Sequence, residues 1–488
     1  MAEFPLPDRP RLRPVEPHWV MLDGEPRLLL RDPLELSDRS ALVPRDLVPL
    51  LSVLDGTRDL AGIVRAVALQ TGLIIPHAVV AAILRQLDQA LLLDSPRFAA
   101  AVERALAEYR RQSCRPPALA ARGYPASPAD LDALFERLVS ALDTLRRAHR
   151  APERIQGGDE PVRPMRPIQA AAGVLSPHID YARGGLVYAA TWKAAREAVA
   201  SAEVVVIFGT DHAGSPGQLT PTAQRYATPW GVLPVDTGAV AALARALGDG
   251  RAFAEELHHR REHSIELACV WLHWALRQAG KAEADWPPLV PILCGSFQCY
   301  TLGGGPPAAL PSDGAEAPDL PDAGQTLILP PTVTPAARPA SSLAGAAPQP
   351  LSLPDQEPHL AAALDALAGA VGGRRVLVVS AADLAHVGPA FGDAAPLGAG
   401  DRDALVTADA ALLAAACSGD APQFLALLRA ERDRRRVCGL PPTYWAMRLL
   451  ERLTGRPLPG RVAGYALCPA DERAGSVVSI AGVLWETP

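Results

Sequence analysis

The sequence predicts an α/β domain with a mostly parallel central sheet flanked by helices, preceded by a small α+β domain. Residues 204–208 form a β-branched run closed by Gly209, which is typical of a buried strand. Residues 186–200 are rich in alanine and contain neither proline nor glycine, as expected of a crossover helix. Because another apolar segment precedes this helix, we predict a strand–helix–strand unit with parallel strands.

The length and composition indicate more than one domain. A chain of 488 residues is long for a single hydrophobic core, so we expect two domains with connecting material. Apolar residues make up 49%, whereas 49 prolines and 39 glycines indicate long irregular stretches as well. The net charge of −6 argues against nucleic-acid binding, which normally requires a basic face. Small molecules or proteins are the expected partners.

The cysteines and the N-terminus indicate a cytoplasmic protein. The seven cysteines form no Cys-x-x-Cys pair and are expected to be reduced thiols. Cys294 and Cys438 are predicted to be buried thiols rather than nucleophiles. The N-terminal segment lacks the apolar region of a signal peptide, and no window reaches ~18 uninterrupted apolar residues. We therefore expect neither a leader nor a membrane span.

The first predicted domain covers residues 1–98. Asp23-Gly24 lies between two apolar triplets, which predicts a β-hairpin. Helices are predicted at residues 44–54, 58–70 and 76–91. The apolar residues 91–93 that follow favour a winged-helix arrangement. Because the last helix offers only Arg85 as a basic residue, we favour peptide or intrachain contact over DNA binding.

The remainder is predicted to be a connector followed by the main domain. Residues 99–167 are predicted to be a helical connector and linker, with an apolar helix face after Ser127-Pro128 that should dock on the second domain. The main domain covers residues 168–488. Its Pro/Ala-rich insertion at 301–357 is predicted to be mostly disordered. Further strands are predicted at 289–293, 375–380, 462–467 and 476–484, and further helices at 264–276, 359–370, 401–417, 423–434 and 444–453.

Four polar motifs carry the candidate chemistry. They are Ser176-Pro-His178, Asp211-His212, Glu262-His263-Ser-Ile-Glu266 and Asp383-Leu-Ala-His386. Three of them follow predicted strands, and the carboxyl ends of parallel strands share one sheet edge, where ligands bind. Imidazoles and carboxylates converging there would suit Fe(II), Cu or Zn. Two histidines and one carboxylate are the ligand set of non-haem iron oxygenases.

Each motif also has a purely structural interpretation. A single histidine after a strand is often a hydrogen-bonded core residue. Glu262-His263 is compatible with a helix start capped by Ser264, and Asp383 is compatible with a simple cap. His258 and His259 lie in a charged run and are predicted to be solvated.

Taken together, the motifs resemble the Memo family, in particular the AmmeMemoRadiSam system protein B of prokaryotes. The matching segments, in family order, are SPHIDYARGG (176–185), VVVIFGTDHAG (204–214), YATPWGVLPVD (226–236), EHSIEL (262–267), LVPILCGSF (289–297), SAADLAH (380–386), RVCGLPP (436–442) and SVVSIAG (476–482). Through LLSVLDGTRDLAGIV and ILRQLDQALLL, the N-terminal segment resembles PqqD-like domains, which bind peptides beside radical-SAM enzymes.

The resemblance implies a fold related to the LigB class of extradiol dioxygenases and a metal held by two histidines and a third ligand. His178 and His212 match the two histidine ligands. The third ligand, a cysteine in vertebrate members, falls on Ala385 here. Asp383 is therefore the candidate third ligand, with Asp180 and His263 as alternatives.

Two functions follow from the resemblance. The first is a metal-dependent oxidoreductase with Fe(II) or Cu, or else Zn, in which His263, His386 and Asp383 serve catalysis. A radical-SAM protein and an AMMECR-type protein are the implied partners. The alternative is a non-catalytic scaffold that binds a peptide or protein of the same system, which Ala385 and the PqqD-like segment favour.

Overall fold

The computed structural model describes residues 4–32, 34–72, 74–148, 165–302, 326–328 and 352–486. The chain divides into two compact units. Helices and strands are numbered in chain order through both units. The first unit is built mainly from Met1–Arg111, and the second from Gln112–Pro306, Gln349–Gly388 and Asp393–Pro488. Most of the predicted linker (156–167) and of the predicted disordered insertion (301–357) lies outside the described residues.

The first unit contains a small sheet and four helices. Its strands are β1 (Glu16–Leu22), β2 (Glu25–Arg31), β3 (Ser40–Pro44) and β10 (Thr326–Ile328), and its helices are α1 (Val48–Ser52), α2 (Leu60–Thr71), α3 (His77–Gln89) and α4 (Pro96–Arg111). β1 and β2 form the predicted hairpin, with Asp23 at φ 53° and Gly24 at φ 79° in the turn. β3 pairs antiparallel with β2 and parallel with β10. The sequence pattern missed β3.

The apolar residues 91–93 do not form a strand in the described structure. Leu91 adopts φ 59° directly after α3, which turns the chain, and Leu93 makes only an isolated bridge to Leu12. Leu92 and Leu93 are nevertheless fully buried. Burial in the core, rather than strand pairing, accounts for this apolar triplet. β1, β2 and β3 all precede the helices of this unit in the chain.

The second unit alternates strands and helices along most of its length. Its elements are α5 (Pro128–Ala148), β4 (Ala171–Ser176), α6 (Tyr181–Ser201), β5 (Val204–Thr210), β6 (Leu219–Pro221), β7 (Tyr226–Thr228), β8 (Gly231–Leu233), α7 (Thr237–Leu247), α8 (Asp249–Ala252), α9 (Ser264–Gln278), β9 (Leu289–Cys294), α10 (Gln298–Thr301), α11 (Pro358–Val371), β11 (Val376–Ala381), β12 (His386–Val387), α12 (Ala399–Ser418), α13 (Ala421–Ala430), α14 (Leu440–Thr454), β13 (Gly460–Pro469) and β14 (Val477–Trp485).

The central sheet is mostly parallel, as predicted. Its order is β12-β14-β4-β11-β5-β9-β6, with β13 paired to β14. β4, β11, β5 and β9 run parallel, whereas β14 and β6 are antiparallel to their neighbours. β11 lies between the two strands of the predicted strand–helix–strand unit. Ala381 is level with Ser176 in β4 and with Gly209 in β5, so three neighbouring strands end at one edge.

Helices cover both faces of the sheet. Val204, Val206 and Phe208 of β5 share one apolar core with residues of α7, α11 and α14. Because strand side chains alternate, Val205 and Ile207 point to the opposite face, where α9 packs on β5 and α6 packs on β4. All these side chains are at most 1% exposed, which explains the continuous apolar run in the sequence. Among the described residues, no helix combines the length and apolar character needed to cross a bilayer.

The apolar face of α5 packs against the second unit, as its sequence pattern indicates. Phe135 is fully buried, and its ring centroid lies 3.9 Å from that of Trp271. Its edge-to-face neighbours are Tyr181 and Trp230, at 5.6 and 5.4 Å. α5 therefore forms part of this unit's core.

We expect Phe135→Ala to destabilise the second unit by about 3–5 kcal/mol, because it leaves a cavity among aromatic rings. Leu145→Ala is the matched control on the same helix, since Leu145 is 45% exposed; it should change stability by less than about 0.5 kcal/mol. Chemical denaturation followed by near-UV circular dichroism measures both. Equal midpoints for the two variants would show that α5 does not belong to the core.

Candidate metal centre

Three polar side chains follow three neighbouring strands at the same distance. His178 lies two residues after β4, His212 two residues after β5, and Asp383 two residues after β11. Since these strands end level with one another, the loops carry the side chains to one place at the carboxyl edge of the sheet. The parallel register therefore brings together residues up to 205 positions apart in the chain.

A fourth residue, His263, enters from the start of α9. The hydroxyl of Ser264 donates to the carbonyl of Thr210 at 2.9 Å, which docks this helix end against β5. The close approach requires glycine at position 209, because a Cβ there would lie 2.6 Å from Ser264 Oγ and 2.5 Å from Ile265 Cγ1. His263 is thereby held beside the loop that carries His212.

The three histidines converge. One ring nitrogen from each of His178, His212 and His263 lies within 4.8 Å of the other two. The His212 and His263 rings are stacked, with centroids 5.0 Å apart, and His178 stands edge-on to both. The His178 side chain is 2% exposed, whereas those of His212 and His263 are 41% and 37% exposed. One side of the cluster is buried and the other is open to solvent.

Hydrogen bonds set the direction of each ring. Nδ1 of His178 lies 3.0 Å from the carbonyl oxygen of Ala381, which can only accept a proton. Nδ1 of His212 and Nδ1 of His263 lie 3.0 and 3.1 Å from the two carboxylate oxygens of Glu262. Because Nδ1 is engaged in all three rings, Nε2 is the atom free to bind a cation.

Cys438 is part of the site, contrary to the prediction of an inert buried thiol. Its Sγ lies 3.3 Å from His178 Nε2. Burial by itself would raise the pKa of the Cys438 thiol, but His178 and His386 outweigh burial and hold this pKa well below its ordinary value. A thiolate therefore faces the imidazoles. The segment RVCGLPP contains this cysteine, yet its sequence distance from the histidines gave no sign of contact.

The ring charges depend on the same neighbours. Burial would lower the pKa of His178, but Asp383 and Cys438 raise it to about 9. Burial likewise opposes the charge on His212, but Glu262 and Cys438 raise its pKa well above the ordinary value. The carboxyl of Glu262 is held well below its ordinary pKa because the two neighbouring histidines outweigh burial. A bound cation would replace these imidazole protons, so binding releases protons and tightens as pH rises.

The loop before Cys438 has an unusual backbone. Arg432, Asp433 and Arg436 all have positive φ, at 56°, 47° and 52°. Asp433 Oδ1 accepts the backbone N–H of Val437 at 2.9 Å, which closes the loop. Gly439 follows Cys438, and a Cβ at Gly439 would lie 2.2 Å from the carbonyl oxygen of Asp383. Only glycine allows the Cys438 loop to come this close to the end of β11.

Asp383 orients the histidine loop. Its Oδ1 accepts the backbone N–H groups of His178 and Ile179 at 2.8 and 3.3 Å, and its Oδ2 lies 3.7 Å from His178 Nε2. Asp180 instead caps α6 and pairs with Arg183, so the structure does not bring it into the cluster of histidines. Its carboxylate is therefore engaged at the helix N-terminus.

The remaining predicted residues lie close by. His386 is half-buried in β12, with Nδ1 3.2 Å from the carbonyl oxygen of Leu384, and it acts electrostatically on Cys438. Ala385 is fully buried and its backbone pairs with Ser479. The missing thiol at position 385 therefore does not leave the site without sulfur, because Cys438 supplies it from another loop.

The prediction that His258 and His259 are solvated is wrong. Nδ1 of His258 lies 2.9 Å from a carboxylate oxygen of buried Asp211, and the His258 side chain is 12% exposed. His259 is fully buried, with Nδ1 2.7 Å from the hydroxyl of Tyr226. Asp211, Glu255 and His258 bring three ligand-type atoms together. Asp211 and His258 are hydrogen-bonded to each other, as Glu255 is to Ser215.

The donor atoms fit a transition metal. Imidazole nitrogens and a thiolate are ligands that iron, copper and zinc accept. A closed structural zinc site would be shielded on all sides, whereas the exposed flank at His212 and His263 leaves room for a further ligand. The fold and the site together define an α/β protein with a histidine-rich candidate metal centre at the carboxyl edge of a parallel sheet.

Part of this chain is similar to proteins of one known family. Residues 115–296 match the family model described as Memo-like protein. A MEMO1 family protein of Aquifex aeolicus is 27% identical over 265 residues, which cover 53% of this chain and 63% of that protein. MEMO1 family proteins of Pyrococcus horikoshii and Thermotoga sp. are 32% identical over 183 residues and 35% identical over 167, covering 37% and 33% of this chain.

These matches show that part of this chain is similar to Memo-like proteins. The chain spans 63% of the length of the Aquifex relative and 53% of each of the other two. The stretch matched by the family model contains His178, His212 and His263, whereas Asp383, His386 and Cys438 lie beyond it. For Asp383, His386 and Cys438, the support for a role in the site is the geometry of the structure.

The low thiol pKa predicts the reactivity of Cys438. In metal-free protein we expect its alkylation by iodoacetamide to change less between about pH 6.5 and pH 9 than that of an ordinary thiol, because the neighbouring imidazoles outweigh burial and hold its pKa well below the ordinary value. An ordinary thiol, with a pKa near 8.5, should react more than about tenfold faster across that range. His178→Ala removes the imidazolium and should slow the reaction at neutral pH. Peptide mass spectrometry resolves the sites. Cys299 is the internal control, because this residue is exposed and partial burial of its sulfur raises the thiol pKa above the ordinary value.

Proposed function

We propose that this chain is a Memo-like metal-binding protein in which His178, His212 and Cys438 hold iron or copper, with His263 as a fourth donor. The 3.3 Å approach of the Cys438 thiolate to His178 Nε2, inside a cluster of convergent imidazoles, is the observation that carries the proposal. Thiolate and imidazole together favour Fe, Cu or Zn over Mg²⁺ or Ca²⁺.

This ligand set replaces Asp383 by Cys438 as the third donor. Oδ1 of Asp383 accepts the backbone N–H groups of His178 and Ile179, and these two hydrogen bonds fix the loop that carries His178. Within the described residues, the Cys438 thiol contacts imidazoles instead: its Sγ lies 3.3 Å from His178 Nε2, and it also interacts with His212. We therefore assign Asp383 to positioning the ligand and Cys438 to binding the metal.

The proposed activity is that of an oxidoreductase related to the class III extradiol dioxygenases. A bound iron or copper would activate O₂ or a substrate hydroxyl. The chain supplies a buried wall at His178, which excludes water, and an open flank at His212 and His263 through which a substrate enters. We assign His386, which acts electrostatically on Cys438, to hold or move a proton. The proximity of Cys438 to His178 weakens one of the two arguments for the scaffold alternative, the missing thiol at residue 385.

We further propose that the protein acts in the AmmeMemoRadiSam system, with a radical-SAM protein and an AMMECR-type protein as partners and a PqqD-like N-terminal segment that holds a peptide. The ordered motifs of residues 176–482 and the N-terminal segment LLSVLDGTRDLAGIV support this proposal. Co-purification of the full-length chain with both proteins tests it. Failure to retain either one would contradict the proposed assembly.

Metal analysis of protein purified without an affinity tag tests the centre. We expect stoichiometric iron or copper, and loss of more than about 90% of it in a His178→Ala/His212→Ala variant, because each ligand contributes strongly to affinity. Cys438→Ala should lower the metal content similarly. Cys417→Ala is the matched control, since Cys417 lies in α12, and it should retain wild-type metal. Wild-type metal content no higher than background would refute the proposal.

Asp383→Asn separates the two candidates for the third ligand. The amide oxygen of Asn can still accept the N–H groups of His178 and Ile179, so the loop should keep its conformation. If Cys438 is the ligand, metal affinity should stay within about tenfold of wild type, the range of an outer-shell change. Metal loss in Asp383→Asn as complete as in His178→Ala, with wild-type content in Cys438→Ala, would make Asp383 the ligand instead. Chelator competition gives both affinities.

A further inference from the structure

Glu262 contacts two of the histidines, and nitrogen atoms lie close to both of its carboxylate oxygens. Its Oε1 is 2.7 Å from the backbone nitrogen of His263, 3.0 Å from that of Ser264 and 3.1 Å from His263 Nδ1. Its Oε2 is 3.2 Å from the backbone nitrogen of His212 and 3.0 Å from His212 Nδ1. Five nitrogen atoms thus lie within 3.2 Å of one carboxylate, whose side chain is 7% exposed.

This arrangement leaves no place for a proton on the carboxylate. Three of the donors are backbone amides, which cannot reverse their role. An ionised carboxylate only accepts hydrogen bonds, so the nitrogen of each ring that faces it must carry the hydrogen. In a neutral imidazole the other nitrogen, Nε2, then has the lone pair.

We infer that Glu262 is a positioning residue that selects the ring tautomer of His212 and His263 together, so that both present an Nε2 lone pair to the same cation. The inference rests on the proposed metal centre. A single side chain thereby prepares two ligands that come from different elements, the loop after β5 and the start of α9. The orientation of His178 is independent, because its Nδ1 donates to the carbonyl of Ala381.

The substitution Glu262→Gln separates this role from simple packing. Gln has nearly the same shape, but one carboxylate oxygen becomes an NH₂ donor. The three N–H groups around the Oε1 position favour the amide oxygen there, which turns the NH₂ toward His212. His212 must then offer its lone pair at Nδ1 and carry its hydrogen at Nε2, the wrong tautomer for binding.

The probe is Co²⁺ alone, added to metal-free full-length protein and followed by its visible spectrum and by chelator competition. We expect Glu262→Gln to weaken Co²⁺ binding by about 10–100-fold, the usual effect of removing an outer-shell partner. The visible bands should also change, because one imidazole leaves the coordination sphere. Glu262→Asp keeps an ionised acceptor and should bind Co²⁺ more tightly than Glu262→Gln, although it is the less isosteric change.

Glu256→Gln is the matched control, since Glu256 is a buried carboxylate of the same unit that accepts the hydroxyl of Thr222 at 2.8 Å. It should bind Co²⁺ within about twofold of wild type. Wild-type affinity and spectrum in Glu262→Gln, or tighter binding by Glu262→Gln than by Glu262→Asp, would overturn the inference. Absence of Co²⁺ binding by the wild type would refute the metal centre itself. If circular dichroism shows Glu262→Gln unfolded, Glu262→Asp decides: binding within about tenfold of wild type supports the inference, and complete loss overturns it.

Discussion

The parallel register of β4, β11 and β5 is the constraint on which the rest of the second unit depends. Ser176, Ala381 and Gly209 are level with one another, so the loops that follow leave the sheet at one place. A one-residue slip of any strand would turn its loop away and reverse the faces of its buried side chains. The continuous apolar core on both faces therefore fixes the position of His178, His212 and Asp383 as well as the fold.

Close backbone contacts complete what the register begins. Gly209 admits the start of α9 and with it His263, and Gly439 admits the loop that carries Cys438. Carboxylates then direct the donors: Asp383 holds the His178 backbone and Glu262 holds two rings. The result is a site with a buried wall and an exposed flank, which suits a metal that must remain accessible to a substrate.

Much of this could be predicted from the sequence. The β-branched runs gave the strands, the alanine-rich stretches gave the helices, and the position of His178 and His212 after two strands placed both at one edge. Residues 115–296, which contain both histidines, match the Memo-like family model. Two features escaped. β3 was missed just before a predicted helix, and buried His259 looked solvated among its charged neighbours.

The sequence by itself determined the α/β class and the two histidines, because hydrophobic periodicity and the order of elements are local properties. Only the tertiary structure decided how the site is completed. Cys438 lies 260 residues from His178 along the chain, and no local pattern reports a contact of that range. The roles of Asp383, Asp180 and Glu262 likewise depend on which N–H groups surround each carboxylate. Those neighbours come from different strands and helices, so they are settled only when the chain packs.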